Sequence, residues 1–508
     1  MDMEKIAIID LGSNTARLVL VNVLEGGYFF VFDELKEYVR LGQDMEIDGF
    51  LRPARIEQTK KTLQMFRRFC DSNGVEKIFA YATAAVRRAK NQKSFLEEVS
   101  VTCGIKLRVL SAAEEGQFIY TGVINSMDIP KGLIVDIGGG STKIVYYNRK
   151  TILEQAALPF GAVTLTDLFK GEEITPEERA LKIEAYVRSY LDQYEWLKDV
   201  DPDTQFIGVG GSFRNLGKIS RRLKKYPLNM AHNYTIDAGE FRTIYDTIKT
   251  LPLDKTMKIK GLSTFRADIF PSALACVSPI LDVCGFQSIV ISGSGMREGA
   301  MFKYAVPTVS EKPISDVLGY SLNTLVKQFN MNEDHVRHIV DLSMQVFKQL
   351  KVLHKLPRMY VRVLRAAAML HDAGSTIKFY DHHKHSAYII LNSKIYGLSH
   401  REIVMAAFVA SAHKDGVPLM DEMAKYHSLL TEEDIIAVRK LGLVLKIAES
   451  FDRSMSGIIT GITCDVLGDS VIMKTITDSH ADCSLEISDA LNCKAEFKAA
   501  YGKNLEIL

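Results

Sequence analysis

A chain of 508 residues has room for three or four domains, and its 47% apolar content is ample for their cores. Its formal net charge of +1 excludes the global basic field of a nucleic-acid binder, so any polyanion site must come from local placement of Lys and Arg. The seven cysteines are scattered with no Cys-x-x-Cys, no signal peptide precedes the first strand, and no stretch approaches the ~18 apolar residues of a membrane span. The expectation is a cytoplasmic protein with free thiols and with neither membrane nor nucleic acid as a partner.

The chain opens with IAIIDLGSNTARLVL (residues 6–20), an apolar strand, Asp10, a Gly12-Ser13-Asn14-Thr15 turn and a second apolar strand. Residues 53–71 then show helical apolar spacing and stop at Asn73-Gly74. KIFAYATAAV reads as a strand ending at Arg87-Arg88, followed by a helix around 92–99 and a strand IKLRVL. In SAAEEGQFIYTGVIN, Ser111 is a good N-cap and Glu114 completes a capping box, which explains Glu114 structurally. Glu115 has no such explanation. In the first turn the helix dipole favours its ionised form, so it is either a general base for water or a carboxylate that merely favours the helix start.

Residues 133–146, LIVDIGGGSTKIVY, repeat the opening pattern: strand, Asp136, Gly138-Gly139-Gly140, Ser141-Thr142, strand. Alone, this could be a Gly-rich hairpin. It could also be a loop whose backbone N–H groups close on a phosphate while the strand-end carboxylate holds a metal. The second copy decides for the phosphate loop. Asp10 matches Asp136, Gly12 matches Gly138, and Thr15 matches Ser141 or Thr142, which suggests a duplicated unit clamping a phosphate chain between two loops. Further strand–Gly-turn–helix patterns follow at FIGVGGSFRNLG, with Gly208, Gly210, Gly211 and Ser212, and at IVISGSGMREGAM, with Gly293 and Gly295. Each is weak alone, but together they supply strand ends converging on one cleft.

The ordered set DLGSNTARL, ATAAVR, EEGQFIYTGV, DIGGGSTK, LPFGAVTLT, GVGGSFRNL, FRADIFP and SGSGMREG resembles the exopolyphosphatase / guanosine pentaphosphate phosphatase family. The resemblance implies an α/β fold of two ribonuclease H-like subdomains of the actin, sugar kinase and chaperone ATPase superfamily. It also implies an all-α HD-type domain and a small α+β C-terminal module. The corresponding divisions are 1–130, 131–305, 315–455 and 456–508, with AVPTVSEKPISD (305–316) as a linker. By the same resemblance, Glu115 is the catalytic base, Arg87 holds the substrate phosphate, and Asp136, with Asp10 as its counterpart, is a carboxylate for Mg²⁺. Gly12 to Thr15, Gly138 to Thr142, and Gly210, Gly211 and Ser212 are the phosphate-binding positions. The family commonly has Glu directly after the second loop, where this chain has Lys143, so metal geometry, rate or substrate choice is expected to differ.

Only His232 precedes residue 330, whereas ten of the twelve histidines lie between His335 and His427, in segments with helical apolar spacing. His371-Asp372, with His335 upstream, resembles the HD pattern of His, His-Asp and a distant Asp on one metal. The distant stretch AESFD has Glu449 where that Asp is expected and Asp452 three residues later, which leaves a degenerate domain without a hydrolytic metal as the alternative. In KFYDHHKH, the residues Lys378, His382, His383, Lys384 and His385 read either as a cationic path for polyphosphate or as a solvated loop. The last segment reads as strand, turn at Leu467-Gly468-Asp469, two further strands, a helix and a short strand.

Three functions are thus carried forward. The first is an exopolyphosphatase that releases orthophosphate from the end of polyphosphate. The second is a phosphohydrolase converting pppGpp to ppGpp. The third is a nucleotide-binding regulatory protein with little turnover, which Lys143 keeps open. A homodimer is implied by the resemblance.

Overall fold

A computed structural model describes residues 3–171, 173–415, 423–477 and 482–508. It divides into two compact units, Met1–Ser315 and Asp316–Leu508.

The first unit is built on two sheets. One contains β1 (Glu4–Leu11), β2 (Ala16–Val23), β3 (Phe29–Glu37), β4 (Lys77–Ala82) and β5 (Leu107–Val109), in the order β3-β2-β1-β4-β5. The other contains β6 (Lys131–Ile137), β7 (Thr142–Asn148), β8 (Thr151–Leu158), β9 (Gln205–Val209), β10 (Tyr234–Asp237) and β11 (Ser288–Ile291), in the order β8-β7-β6-β9-β11-β10. Apart from the added edge strand β10, the two orders are the same. In each, the first three strands form an antiparallel meander and the next two join in parallel. The duplication seen in the loops therefore extends to whole sheets. The central strands are apolar on both faces, as strands covered on two sides must be. Helix Pro53–Ser72 covers the first sheet with Leu63 and Phe66, both fully buried.

One local reading changes and one holds. Residues 84–88 continue the strand pattern in sequence but form a short helix, Ala84–Arg88, after β4 ends at Ala82. The capping box forms as read, with Ser111 Oγ accepting from the Glu114 amide at 3.1 Å and Glu114 Oε2 accepting from the Ser111 amide at 2.8 Å. Helix Ala112–Ile124 packs against helix Met296–Ala305 by reciprocal small-residue contact. A Cβ at Gly122 would overlap the Gly295 carbonyl, and one at Gly299 would overlap the Phe118 carbonyl. This close crossing fixes Glu115 and Arg297 in one framework.

The second unit is mainly helical, including Val317–Gln328, Glu333–Gln349, Tyr360–Leu370, His382–Asn392, His400–Asp415 and Glu432–Ser450. Its C-terminal part has β12 (Ile459–Leu467), β13 (Ser470–Thr477) and β14 (Asn504–Ile507) in one sheet. Two helices, Ser484–Leu491 and Lys494–Tyr501, stand where the sequence suggested a third consecutive strand and one helix.

Candidate active site

Asp10 is the next-to-last residue of β1 and Asp136 the next-to-last of β6, so each carboxylate stands just before the chain turns into its loop. In the first loop the Gly12 amide donates to the Thr15 carbonyl at 3.0 Å; in the second the Gly138 amide donates to the Ser141 carbonyl at 3.0 Å. The structure thus pairs Thr15 with Ser141, not Thr142. Register extends the symmetry: Asp10 lies opposite Arg17 across β1–β2, and Asp136 lies opposite Lys143 across β6–β7. Lys143 is therefore the counterpart of Arg17, so each strand-end carboxylate faces a cation on the return strand.

The two loops touch. Cβ atoms built on Gly139 and Gly140 would come within 2.9 Å of Ser13 Cβ and 2.6 Å of Ser13 Oγ. Around them is a cavity of about 130 Å³ lined by both loops, by Asp10, Asp136 and Glu115, and by Arg17, Arg214, Arg266 and Arg297. Ser13 Oγ and Asn14 Nδ2 are buried there without a hydrogen-bond partner, as expected of groups that await a ligand. Gly210 precedes helix Gly211–Leu223 with φ 95°, and a Cβ there would lie 2.6 Å from Asp136 Oδ1, so only glycine lets this turn approach the carboxylate.

Burial dominates the electrostatics. It pushes the Asp136 carboxyl up to about 6, against the pull of Lys143, and raises Asp10 as well. It pulls Arg17 down to about 10, with Arg297 and Arg214 adding repulsion, and lowers Arg214 and Arg266. Cations and carboxylates are thus both held out of water around a space that can take a charged ligand. Asp10 and Asp136, both hard oxygen donors that burial raises, suit a Mg²⁺ ion.

Several residues lie elsewhere than their sequence roles suggest. Arg87 Nη1 donates to the Leu110 carbonyl at 2.7 Å and to Glu115 Oε2 at 3.1 Å, so its guanidinium serves Glu115 and is not among the cavity-lining groups. Thr142 Oγ1 donates to the Phe160 carbonyl at 2.9 Å from a fully buried position, and Ser212 Oγ accepts from Arg266 at 3.4 Å; neither lines the cavity. Lys143 Nζ pairs with Glu115 Oε1 and donates to Ser141 Oγ at 2.5 Å. Nothing in sequence singles out the four cavity arginines, although each sits inside a motif that carries the family resemblance: DLGSNTARL, GVGGSFRNL, FRADIFP and SGSGMREG.

In the helical unit, the supposed cationic path is not assembled. His382 and His383 are buried, while Lys378 and Lys384 are exposed on the surface. His382 instead faces Asp372 at 3.1 Å and His413 at 3.0 Å. Asp452 does not take the place of a ligand next to His371. It accepts from His335 Nδ1 at 2.7 Å, whereas Glu449 lies 3.0 Å from His371 Nε2.

Among the described residues, no helix is long and apolar enough to cross a membrane. Two family models match the chain, the Ppx/GppA phosphatase family over residues 19–306 and Ppx/GppA phosphatase domain III over residues 319–490. A guanosine-5'-triphosphate,3'-diphosphate pyrophosphatase of Pseudoalteromonas atlantica is 28% identical over 400 residues, 76% of this chain and 75% of that protein. The enzyme of the same name from Aeromonas hydrophila is 26% identical over 401 residues, 77% of each chain. The solved Aquifex aeolicus family member covers 60% of this chain and 99% of its own, with TM-score 0.51 and 27% identity. A Cytophaga hutchinsonii exopolyphosphatase covers 59% and 98%, with TM-score 0.56 and 23% identity, which speaks to the fold. The chain therefore belongs to the Ppx/GppA phosphatase family and is a hydrolase of phosphoanhydride bonds.

Proposed function

We propose that this hydrolase is an exopolyphosphatase, releasing orthophosphate from the end of inorganic polyphosphate. The observation that carries this reading is the cavity lining. Four arginines, two Gly-rich loops and the four carboxylates Asp10, Glu115, Asp136 and Glu298 surround the space, and among the described residues no aromatic ring lines it. That chemistry suits a bare phosphate chain, which offers only oxyanions to bind and no flat base to stack.

In this reading the terminal phosphoryl group lies between the Gly12–Thr15 and Gly138–Ser141 loops, with Arg17, Arg214, Arg266 and Arg297 spreading its charge. Mg²⁺ held by Asp136 and Asp10 would supply further neutralisation of the transferred group. Glu115 takes a proton from water attacking phosphorus in line; the P–O bond to the chain breaks, and the shortened chain leaves as an anion. Arg87 and Lys143 hold the two oxygens of Glu115 and so fix its orientation.

The second reading is hydrolysis of the 5′-terminal phosphate of pppGpp. It is favoured by the names of these relatives, and by Phe265, 57% exposed and stacked on Tyr38 at 4.6 Å in the short 3-10 turn Thr264–Arg266.

Phosphate release from long-chain polyphosphate and from pppGpp, measured side by side with Mg²⁺, separates the two. Release from polyphosphate is expected to dominate and to fall by about 100-fold or more in Glu115→Gln. Preference for pppGpp would overturn the first reading in favour of the second. Turnover undiminished in Glu115→Gln would remove the base assignment, and no release from either substrate would leave a phosphate-binding regulatory protein.

A further inference from the structure

Four histidines and two carboxylates of the helical unit converge on a second buried site. His335 and His371 meet Asp372, and Asp372 also meets His382 and His413; within each trio the ligand-type atoms lie within 4.8 Å of one another. The two trios share Asp372 but use different oxygens. Oδ2 faces His371 Nε2 at 3.7 Å and His335 Nε2 at 3.9 Å, while Oδ1 faces His382 Nε2 at 3.1 Å and His413 Nε2 at 3.9 Å. Glu449 Oε2 joins the first trio, 3.0 Å from His371 Nε2 and 3.4 Å from His335 Nε2.

All four imidazoles are held in one orientation by their other nitrogen. Nδ1 of His371, His382 and His413 faces the carbonyls of Ala368, Phe379 and Ala410 at 2.8, 2.8 and 2.6 Å, and Nδ1 of His335 faces Asp452 Oδ2 at 2.7 Å. A proton on each Nδ1 satisfies these acceptors and leaves the Nε2 lone pair aimed inward, the arrangement of metal-ligating histidines. Nε2 of His335, Nε2 of His371 and Oε2 of Glu449 are buried without a hydrogen bond, although they lie close together. Two such lone pairs, on His382 and His413, are 3.0 Å apart. Atoms bound about 2.1 Å from one ion at right angles lie about 3 Å apart, so this spacing is that of two ligands on one metal.

We propose that the helical unit binds two divalent transition-metal ions bridged by Asp372. His335, His371 and Glu449 complete the first site, and His382 and His413 contribute to the second. Imidazoles mixed with carboxylates select Mn²⁺, Fe²⁺, Co²⁺, Ni²⁺ or Zn²⁺ over Mg²⁺, which separates this centre from the all-oxygen donor set of the cleft. Asp452 is a positioning residue: it orients His335 without joining the ligands. The second site has three protein ligands and so retains positions for water.

The test is metal content of the full-length chain, stripped with chelator, reloaded with Mn²⁺ or Co²⁺ in the presence of excess Mg²⁺, and measured by elemental analysis and by the Co²⁺ visible spectrum. Two ions per chain are expected in the wild type and in Asp136→Asn, which controls for the cleft. His413→Ala should lose one ion. Asp372→Asn should lose both, with its folded circular dichroism and melting retained as the check against misfolding. A stripped wild type that takes up no ion, or an Asp372→Asn protein that keeps two, would overturn the proposal.

Discussion

Lys143 and Glu115 form an ion pair inside the first unit, with the lysine side chain 2% exposed and the carboxylate 9% exposed. Arg87 holds the other carboxylate oxygen, so Glu115 is gripped by two cations from two different elements. One comes from β7, just beyond the second phosphate loop, and one from helix Ala84–Arg88 beyond β4. Where the family resemblance leads one to expect another carboxylate, this chain carries its own buried cation next to Asp136.

Removing that cation should cost folding stability. Deleting one partner of a buried pair leaves the other charge uncompensated, typically at about 3–5 kcal/mol. Because Arg87 remains, we expect Lys143→Met to lose about 3 kcal/mol in denaturant unfolding. Lys143→Glu would place a third carboxylate beside Glu115 and Asp136. We expect its melting temperature to rise with added Mg²⁺ by more than that of the wild type. A Lys143→Glu protein with the wild-type response to Mg²⁺ would show that Lys143 has no bearing on cation binding.

Asp136 sets a pH dependence. Its carboxyl is pushed up to about 6, chiefly by burial, so the folded chain keeps a proton that the unfolded chain releases near pH 4. The stability this contributes is complete below about pH 4 and is lost as the pH rises through about 6, about 2–3 kcal/mol in all. Unfolding of metal-free protein between pH 4 and 7 should show that decline, reduced in Asp136→Asn; Asp10, raised in the same direction, leaves a residual slope. Because protons compete with a metal for the same carboxylates, Mg²⁺ binding should tighten over the same interval.

The arginines should be felt in binding before turnover. Arg214 and Arg266 are held below their ordinary range by burial, with neighbouring guanidinium groups adding repulsion, and an anion between them relieves both. Triphosphate at about 100 times its Kd should stabilise the wild type by about 2.7 kcal/mol. In Arg214→Gln that stabilisation should shrink markedly and KM for polyphosphate should rise more than kcat falls. An unchanged ligand-induced shift in Tm would take Arg214 out of the binding site.

These relationships were unevenly legible in the sequence. The Asp-Gly loops are local patterns, and Asp10 and Asp136 stand at matched strand ends where the repeat puts them. The pairing of Lys143 with Arg17 as equivalents follows from strand register, which a motif of loops does not contain. Arg214, Arg266 and Arg297 come from three separate segments, so only the folded chain brings them to one cavity. In KFYDHHKH the cationic residues outnumber Phe379 and Tyr380, so the stretch reads as a cationic path or a solvated loop; in the fold His382 and His383 are buried and Lys384 stays outside. His413 follows the apolar run IVMAAFVASA of helix His400–Asp415, and nothing local distinguishes it from a packed core histidine.

Gly210 gives the sharpest test of how closely the cleft is built. Its φ of 95° is unfavourable for any residue with a Cβ, and that Cβ would stand 2.6 Å from Asp136 Oδ1. Gly210→Ala should therefore lose about 1–3 kcal/mol of stability from backbone strain. The larger effect should fall on the site, because relief of the contact moves either the carboxylate or the start of helix Gly211–Leu223, which carries Arg214. We expect phosphate release to drop by about 100-fold, as a displacement of about 1 Å at a reacting centre does, with the helical unit's metal content unaltered. The paired control is Gly74→Ala, at φ 65° with open space around its Cβ. It should show the backbone cost without the loss of activity. Equal activity losses in the two variants would mean that strain alone, and not the approach to Asp136, accounts for the glycine.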